Sequence, residues 1–250
     1  MNIFLAGNIG KTVPKEYITM KAPFVLQTFW DIKDSDSTII EAAVKTPKIF
    51  FLDSGAFTFM NSGVTVDWQK YAKQYAEFVK HYKIDYYFNI DLDTIMGVEY
   101  TDKLTRYIEQ TTQKQSIRVW HRCMGVQKWR KMCQEYPYVA IGASGLTEEC
   151  RWVENKDLLR QMIRIAHGYG AKVHGLGYTR LSNINSTTVS FDSVDSSSAL
   201  SGGRFATVYK FTGSKLISTH IKGRSKGYKE LNRHNIAEWI KMANYKAGLL

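Results

Sequence analysis

The chain of 250 residues is long enough to bury a substantial hydrophobic core without disulfide bonds. Hydrophobic residues make up 44% of it and charged residues 23%, a balance typical of globular proteins that excludes long disordered arms. Lysine and arginine number 34 against 23 acidic residues, so the net charge is +11. That charge suits a protein that binds a phosphate backbone, although a merely soluble basic protein has the same balance.

Neither a membrane span nor a disulfide framework is expected from the sequence. No apolar run approaches the roughly 18 residues of a membrane span, and the N-terminus lacks the charged start and apolar stretch of a signal peptide. Cys123, Cys133 and Cys150 are odd in number and widely spaced, so we expect reduced thiols rather than a metal knuckle. These features predict a cytoplasmic protein, and no residue pattern implies a metal or another cofactor.

Short β-rich runs alternate with helix-length segments along the chain. In order they are Ile3–Leu5, Phe24–Thr28, Ile49–Leu52, Tyr86–Ile90, Ile117–Trp120, Tyr138–Ile141, Val173–Leu176 and Ser190–Val194. Eight strands with helices between them predict an α/β fold, a (β/α)8 TIM barrel. A doubly wound open sheet is the alternative fold.

Three helices are predicted from apolar residues at helical spacing. One covers about 67–81, one covers the apolar positions from Leu158 to Ala166, and a closing helix includes Ile236 to Ala243. We find no internal repeat and no low-complexity linker. The chain is therefore expected to form a single domain, residues 1–250, with a basic C-terminal helical segment.

Polar side chains and glycines follow most of the predicted strands. In chain order these are Asp53, Ser54, Gly55, Asp91, Asp93, His121, Gly142, Ala143, Ser144, Gly145, His174, Gly175, Gly177, Asp192 and Asp195. A single aspartate after a strand is most often a helix cap or turn residue. Because the carboxyl ends of all barrel strands meet at one mouth, so many together predict an active site.

Two of these carboxylates could break and remake an N-glycosidic bond. One would attack the anomeric carbon, and the other would manage the proton of the leaving base. Reading a flipped-out purine also requires groups for its hydrogen-bonding edge, for which the loops offer Asp91, His121 and the backbone of residues 142–145.

Four motifs resemble those of a known family, the tRNA-guanine transglycosylases. DSGAF is similar to the family's DSGGF, NID to its strand-end aspartate, AIGASGL to its IGGLA loop and HGLGYT to its MGVG strand end. The resemblance spans roughly residues 49–204. It implies that Asp53 acts in catalysis at the base with Ser54 and Gly55 beside it, and that Asp91 pairs with the guanine edge.

The same resemblance implies where the remaining pocket residues lie. The backbone of Gly142, Ala143, Ser144 and Gly145 would contact the base, and Gly175 and Gly177 would lie near the pocket. His174 is a further candidate for substrate binding because of its own place at the end of the seventh strand. The family's nucleophilic aspartate is followed nine residues later by an arginine, which matches Asp195 and Arg204. Asp192 lies in FDSV, which is similar to the family's FDCV, so it stays the alternative nucleophile.

Two departures make the chain more similar to the DNA-acting relatives of the DpdA type, which occur in phages and bacteria. The tRNA enzymes are longer, and they carry a C-terminal zinc site of cysteines and a histidine that nothing after Cys150 could supply. The resemblance therefore implies exchange of guanine in DNA for a free 7-deazaguanine base, such as 7-cyano-7-deazaguanine, through a covalent intermediate on Asp195. The alternatives are a tRNA-guanine transglycosylase, a non-catalytic nucleic-acid-binding paralogue and an unrelated barrel for a phosphorylated metabolite.

The C-terminal segment is rich in basic residues interleaved with aromatic ones. Lys222, Arg224 and Lys226, together with Arg204, are the candidate contacts to nucleic acid, and Tyr228, Trp239 and Tyr245 are interleaved with the basic residues that follow. A solvated helix face would have a similar composition.

Overall fold

Eight parallel strands form the centre of the computed structural model, which describes residues 1–9, 11–56, 66–142, 155–178, 180–186, 188–200, 205–221 and 227–249. The strands are β1 (Asn2–Leu5), β2 (Phe24–Thr28), β3 (Ile49–Asp53), β4 (Tyr86–Tyr87), β5 (Arg118–Trp120), β6 (Tyr138–Gly142), β7 (Lys172–Leu176) and β8 (Ser193–Ser196). Their order in the sheet is β4-β3-β2-β1-β8-β7-β6-β5, and each neighbouring pair is parallel.

The two outer strands of this order, β4 and β5, meet through a short parallel bridge between Phe88 and Ile117. Ile117 N–H donates to the Tyr87 carbonyl at 2.7 Å, and Asn89 N–H donates to the Ile117 carbonyl at 3.2 Å. The side chain of Asn89 continues the pairing, because its Oδ1 accepts from Val119 N–H at 2.7 Å. The strands therefore curl into the predicted TIM-barrel fold.

The helices lie between the strands. They are α1 (Lys15–Thr19), α2 (Phe29–Ile32), α3 (Ser37–Lys45), α4 (Trp68–His81), α5 (Asp93–Met96), α6 (Val98–Thr112), α7 (Gly125–Glu135), α8 (Lys156–Gly168), α9 (Leu181–Ile184) and α10 (Tyr228–Lys246), with 3-10 turns at Arg122–Met124 and Ser198–Leu200. One face of α4 packs into the core through Tyr71, Ala72, Tyr75, Ala76 and Val79, which are buried. Asp67 caps that helix by accepting from the backbone N–H groups of Gln69 and Lys70.

Aromatic rings fill the barrel interior. Phe4 of β1 and Phe51 of β3 stack at 3.9 Å between centroids, and Phe88 meets Phe51 edge-on at 5.6 Å. His174 of β7 lies against all three rings, at centroid distances between 5.3 and 5.9 Å. Below the mouth the barrel is therefore a packed core and not a channel.

The prediction for the eighth strand was wrong by about three residues. The strand is Ser193–Ser196 rather than Ser190–Val194, because Phe191 is buried by packing against Tyr178, with centroids 4.9 Å apart, and not as a strand residue. This shift places Asp192 before the strand and Asp195 near its carboxyl end. The predicted fourth strand, Tyr86–Ile90, is also shorter than expected, since only Tyr86–Tyr87 form β4.

An antiparallel hairpin that the sequence did not predict precedes the last helix. Its strands are β9 (Thr207–Phe211) and β10 (Leu216–His220). Asn235 of α10 fixes β9, since its side chain accepts from Tyr209 N–H at 2.9 Å and donates to the Thr207 carbonyl at 2.8 Å. The predicted C-terminal helix is present as α10, but its Trp239 is fully buried and cannot stack on nucleic acid. In the described ranges no helix is long and apolar enough to cross a membrane.

Candidate functional site

The carboxyl ends of β3 and β8, with the segments that follow β4 and β5, hold the titratable groups expected from the sequence. Asp53 ends β3, Asp91 follows β4, His121 follows β5 and Asp195 lies in β8. Ala143, Ser144 and Gly145, which were expected after β6, lie outside the described residues, as do Arg204, Lys222, Arg224 and Lys226.

The backbone after β3 turns so that Asp53 accepts a hydrogen bond from Gly55 N–H at 2.9 Å. Gly55 has a φ of +78°, and a Cβ there would meet the Cβ of Trp30 at 2.9 Å, so both the conformation and the space require glycine. Ser54 is fully buried, and its carbonyl accepts from the Tyr71 hydroxyl at 2.6 Å. Ser54 and Gly55 therefore shape the loop, whereas the sequence interpretation had them bind substrate.

Asp53 is the candidate proton carrier. Burial raises the pKa of Asp53 from 3.8 to about 6, the hydrogen bond from Gly55 opposes that shift, and the charge of Asp195 adds to it. Asp53 and Asp195 are thus close enough to interact across the mouth. A carboxyl group with this pKa can take up and release a proton near neutral pH.

Farther round the mouth, His121 lies between two carboxylates of the segment that follows β4. Its Nδ1 is 2.9 Å from Oδ2 of Asp93, and its Nε2 is 3.8 Å from Oδ2 of Asp91. The pKa of Asp91 is raised to about 7. Burial is the main cause, the charges of Asp53 and Asp93 add to it, and the charge of His121 opposes it. We name Asp91, Asp93 and His121 the β4–β5 cluster.

Asp93 is a residue to which the sequence reasoning assigned no role. Its side chain is fully buried, and it fixes the ring of His121 through one oxygen, which Cys123 Sγ also approaches at 3.8 Å. Its other oxygen, Oδ1, is buried without a hydrogen-bond partner in the described part of the chain. The pattern Asp-x-Asp directly after β4 was the available signal, because polar residues that follow a strand lie at the carboxyl face of the barrel.

Gly142 at the end of β6 makes room for His121. A Cβ at this position would lie 2.3 Å from Nε2 of His121 and 2.4 Å from its Cδ2, which real structures do not tolerate. The glycine was expected to contact a base through its backbone. The geometry shows a second reason for it, since any other residue would displace the imidazole.

His174 and Asp195 form the core of a second group, inside the barrel. Oδ1 of Asp195 accepts from Gly177 N–H at 2.8 Å and lies 3.2 Å from Nε2 of His174. Nδ1 of His174 lies 2.5 Å from the hydroxyl of Ser193, which in turn lies 2.6 Å from the hydroxyl of Tyr138. We name Tyr138, His174, Ser193 and Asp195 the β7–β8 cluster.

Two residues that were expected to bind substrate lie buried in the wall of the barrel. His174 is fully buried and contacts Asp195 rather than open space. Gly175 is also buried, and a Cβ there would lie 3.0 Å from the ring of Phe191 and 3.1 Å from the Cβ of Tyr178. Both residues support the mouth from below.

Asp192 lies at the other end of the eighth strand. One of its oxygens accepts from Val173 N–H at 2.7 Å and lies 2.9 Å from Nε2 of His167, near the amino ends of β7 and β8. Of the two aspartates in FDSVD, only Asp195 is near the carboxyl end of its strand, where the other candidate groups are. Across the described ranges, no group of three or more histidine, cysteine, aspartate or glutamate side chains is arranged to hold a metal ion.

No family model and no curated protein matches the chain. One solved structure that it resembles is a protein from Coccidioides immitis assigned as a fructose-1,6-biphosphate aldolase, with a TM-score of 0.57 and 11% sequence identity over 99% of this chain and 88% of that one. At that identity the likeness shows a shared α/β barrel fold and nothing about substrate. The fold and the strand-end side chains together are typical of an enzyme with its active site at the carboxyl face of the barrel.

Proposed function

We propose that the protein is a transglycosylase that exchanges guanine in DNA for a 7-deazaguanine base, with Asp195 as nucleophile and Asp53 as proton carrier. The observation that carries this proposal is the contrast between these two carboxyl groups at one mouth. Asp53 has a pKa raised to about 6, whereas Asp195 is held through Oδ1 by Gly177 and His174. Two carboxyl groups in such different surroundings can divide the roles of acid and nucleophile.

The chemistry takes two displacements at C1′ of a deoxyguanosine. Oδ2 of Asp195 attacks C1′, the bond from C1′ to N9 breaks, and the departing guanine takes the proton of Asp53. The incoming base then gives its N9 proton to Asp53 as N9 attacks C1′, and the carboxylate of Asp195 leaves. Because the glycosyl–enzyme bond conserves the bond energy, the cycle consumes no nucleoside triphosphate.

The β4–β5 cluster is suited to hold the base. A guanine edge presents N–H donors at N1 and N2 beside a carbonyl acceptor at O6. The carboxylate of Asp91 would accept from the donors, and Nε2 of His121, when it carries a proton, would donate to the carbonyl. Asp93 supports this role because it holds the opposite nitrogen of His121 at 2.9 Å.

DNA is the proposed polymer because of the similarity to the DNA-acting enzymes and the net charge of +11. The basic residues Arg204, Lys222, Arg224 and Lys226 are the proposed phosphate contacts. If each of the last three neutralises one phosphate, changing it to alanine should lower the slope of log affinity against log salt by about one, with no change in sequence preference.

Base exchange with labelled guanine is the direct test. We expect incorporation into duplex or single-stranded DNA, none into tRNA, and release of label when 7-cyano-7-deazaguanine is added. Incorporation into tRNA alone would support the tRNA-modifying alternative. Binding of DNA without incorporation of label into either polymer would support a non-catalytic nucleic-acid-binding protein.

A further inference from the structure

A hydrogen-bonded row of side chains runs through the interior of the barrel to the proposed nucleophile. It begins at Tyr138 at the start of β6, passes through Ser193 of β8 and His174 of β7, and ends at Oδ1 of Asp195, with successive distances of 2.6, 2.5 and 3.2 Å. His174 is fully buried, and the rings of Phe4, Phe51 and Phe88 surround it.

The chemistry of these groups determines the direction of the hydrogen bonds. An ionised carboxylate only accepts, so Nε2 of His174 must carry the proton in its contact with Asp195. A neutral imidazole then accepts at Nδ1, so the Ser193 hydroxyl donates to it. The single proton of Tyr138 is left to donate to Ser193, and every group in the row is satisfied.

The opposite direction leaves the row incomplete. A doubly protonated His174 would donate to Ser193, which would donate to Tyr138. The hydroxyl proton of Tyr138 would then have no acceptor within the described ranges, where Ser193 is its hydrogen-bond partner.

We infer that His174 is a positioning residue: Tyr138 and Ser193 fix its Nε2–H tautomer, and this N–H, with Gly177 N–H, holds Oδ1 of Asp195 so that Oδ2 is the attacking oxygen. Oδ2 has no hydrogen-bond partner among the residues that the structure describes, and the Asp195 side chain is 15% exposed. The role of His174 in catalysis rests on the proposed function, but the identity of its protonated nitrogen does not.

The tautomer can be measured in the whole protein without substrate. In ¹⁵N spectra of the histidine rings, with His174 assigned from its absence in His174→Gln, we expect a protonated Nε2 and an unprotonated Nδ1. Ser193→Ala should shift the Nδ1 signal, because its hydrogen-bond donor is lost. A protonated Nδ1, or an imidazolium at pH 7, would overturn the inference whatever the enzyme acts on.

The positioning role has its own kinetic test, in single-turnover formation of the covalent adduct on a guanine-containing oligonucleotide. Ser193→Ala should slow adduct formation about tenfold or more at saturating DNA while leaving KM nearly unchanged, since only the orientation of the nucleophile is affected. Ser196→Ala is the matched control, because Ser196 is a buried serine of the same strand whose hydroxyl, among the described residues, accepts only from Ser198 N–H, at 3.1 Å. Equal rates for the two variants would contradict the role.

A second pair of variants separates positioning from packing. The amide nitrogen of glutamine can take the place of Nε2, so His174→Gln should retain a substantial part of the rate, whereas His174→Asn, whose amide reaches only as far as Nδ1, should not. If neither variant restores adduct formation although both fold, a specific Nε2 donor is not what Asp195 requires. If no adduct forms even with the parent protein while the ¹⁵N tautomer is as expected, the proposed function is wrong and the row of hydrogen bonds stands.

Discussion

The two buried histidines at and below the mouth, His121 and His174, differ in the groups that lie next to their ring nitrogens. In the β4–β5 cluster, His121 has a carboxylate near each ring nitrogen, at 2.9 and 3.8 Å. In the β7–β8 cluster, His174 has a carboxylate at one nitrogen and a hydroxyl at the other, at 3.2 and 2.5 Å. Flanking carboxylates favour a ring that donates from both nitrogens, whereas the serine allows a neutral ring with one fixed proton.

The position of each cluster in the barrel matches this difference. His121 follows β5 at the carboxyl face of the barrel, and its Nε2 faces Asp91 and Gly142. His174 lies within β7 among phenyl rings, and it reaches the mouth only through Asp195. We therefore propose that the β4–β5 cluster recognises the base and that the β7–β8 cluster supports the nucleophile.

The largest effect is expected at Asp195. Asp195→Asn should reduce base exchange on the order of a thousandfold or more and abolish the trapped adduct, because the amide cannot form the glycosyl bond. Asp192→Asn is the control, since Asp192 lies near the amino end of β8 beside His167. If Asp192→Asn were inactive and Asp195→Asn active, Asp192 would be the nucleophile instead.

The pH dependence of stability should reflect two buried carboxyl groups, Asp91 of the β4–β5 cluster and Asp53. Burial raises the pKa of Asp91 to about 7 and that of Asp53 to about 6, so the folded state binds more protons than the unfolded state between about pH 4 and 7. The free energy of unfolding should therefore fall as pH rises through this window.

Asp91→Asn should flatten that decline and make the protein more stable than the parent at pH 8, by about 1 to 3 kcal/mol. Urea unfolding at a series of pH values measures both effects. Asp34→Asn is the control, because the side chain of Asp34 is 69% exposed and should leave the profile unchanged. An unchanged profile in Asp91→Asn would show that this carboxyl group is ionised at little cost.

A smaller effect is expected at Gly142. Gly142→Ala should destabilise the protein by about 1 to 3 kcal/mol, because its Cβ would overlap the ring of His121. In a His121→Ala background the same change should cost much less, so the double-mutant cycle isolates the steric contact. Gly168→Ala serves as control, since a Cβ there meets nothing within 4 Å. Additive effects in the cycle would mean that His121 does not depend on this glycine.

Much of the barrel was predictable because its strands are compact runs of aromatic and branched residues. The pattern located β1, β2 and β3 within one residue at each end. It failed at β8, where Phe191 extends the apolar run but packs against Tyr178. It also missed β9 and β10, because that hairpin is stabilised by side chains distant in sequence, such as Asn235.

The carboxylates of the candidate site could be predicted from the sequence, but the hydrogen-bond partners of its side chains could not. Asp53, Asp91 and Asp195 could be found because polar residues after barrel strands are visible in the sequence. The pairing of His121 with Asp93, and that of His174 with Ser193, joins residues 28 and 19 positions apart and depends on strand register. The sequence placed His174 at a strand end as a candidate for substrate binding, but it could not show that its ring contacts Asp195.

The smallest effect is expected at Tyr138, the outer end of the β7–β8 cluster. Tyr138→Phe removes the donor to Ser193 and nothing else, since that hydroxyl has no other hydrogen bond within the described ranges. The free energy of unfolding should fall by about 1 kcal/mol. Adduct formation should slow only a few-fold, because Ser193 can still donate to His174 after losing its own donor.

Tyr86→Phe is the matched control for this last change. Tyr86 is a neighbouring tyrosine on β4 whose ring lies 6.4 Å from that of Tyr138, but it is 41% exposed, so its hydroxyl is not needed by the row. Affinity for the free base should be the same in both variants if, as proposed, the β4–β5 cluster binds it. If Tyr138→Phe lowered base affinity as strongly as adduct formation, the two clusters would act as one unit. His121 and His174 would then not have the separate roles proposed for them.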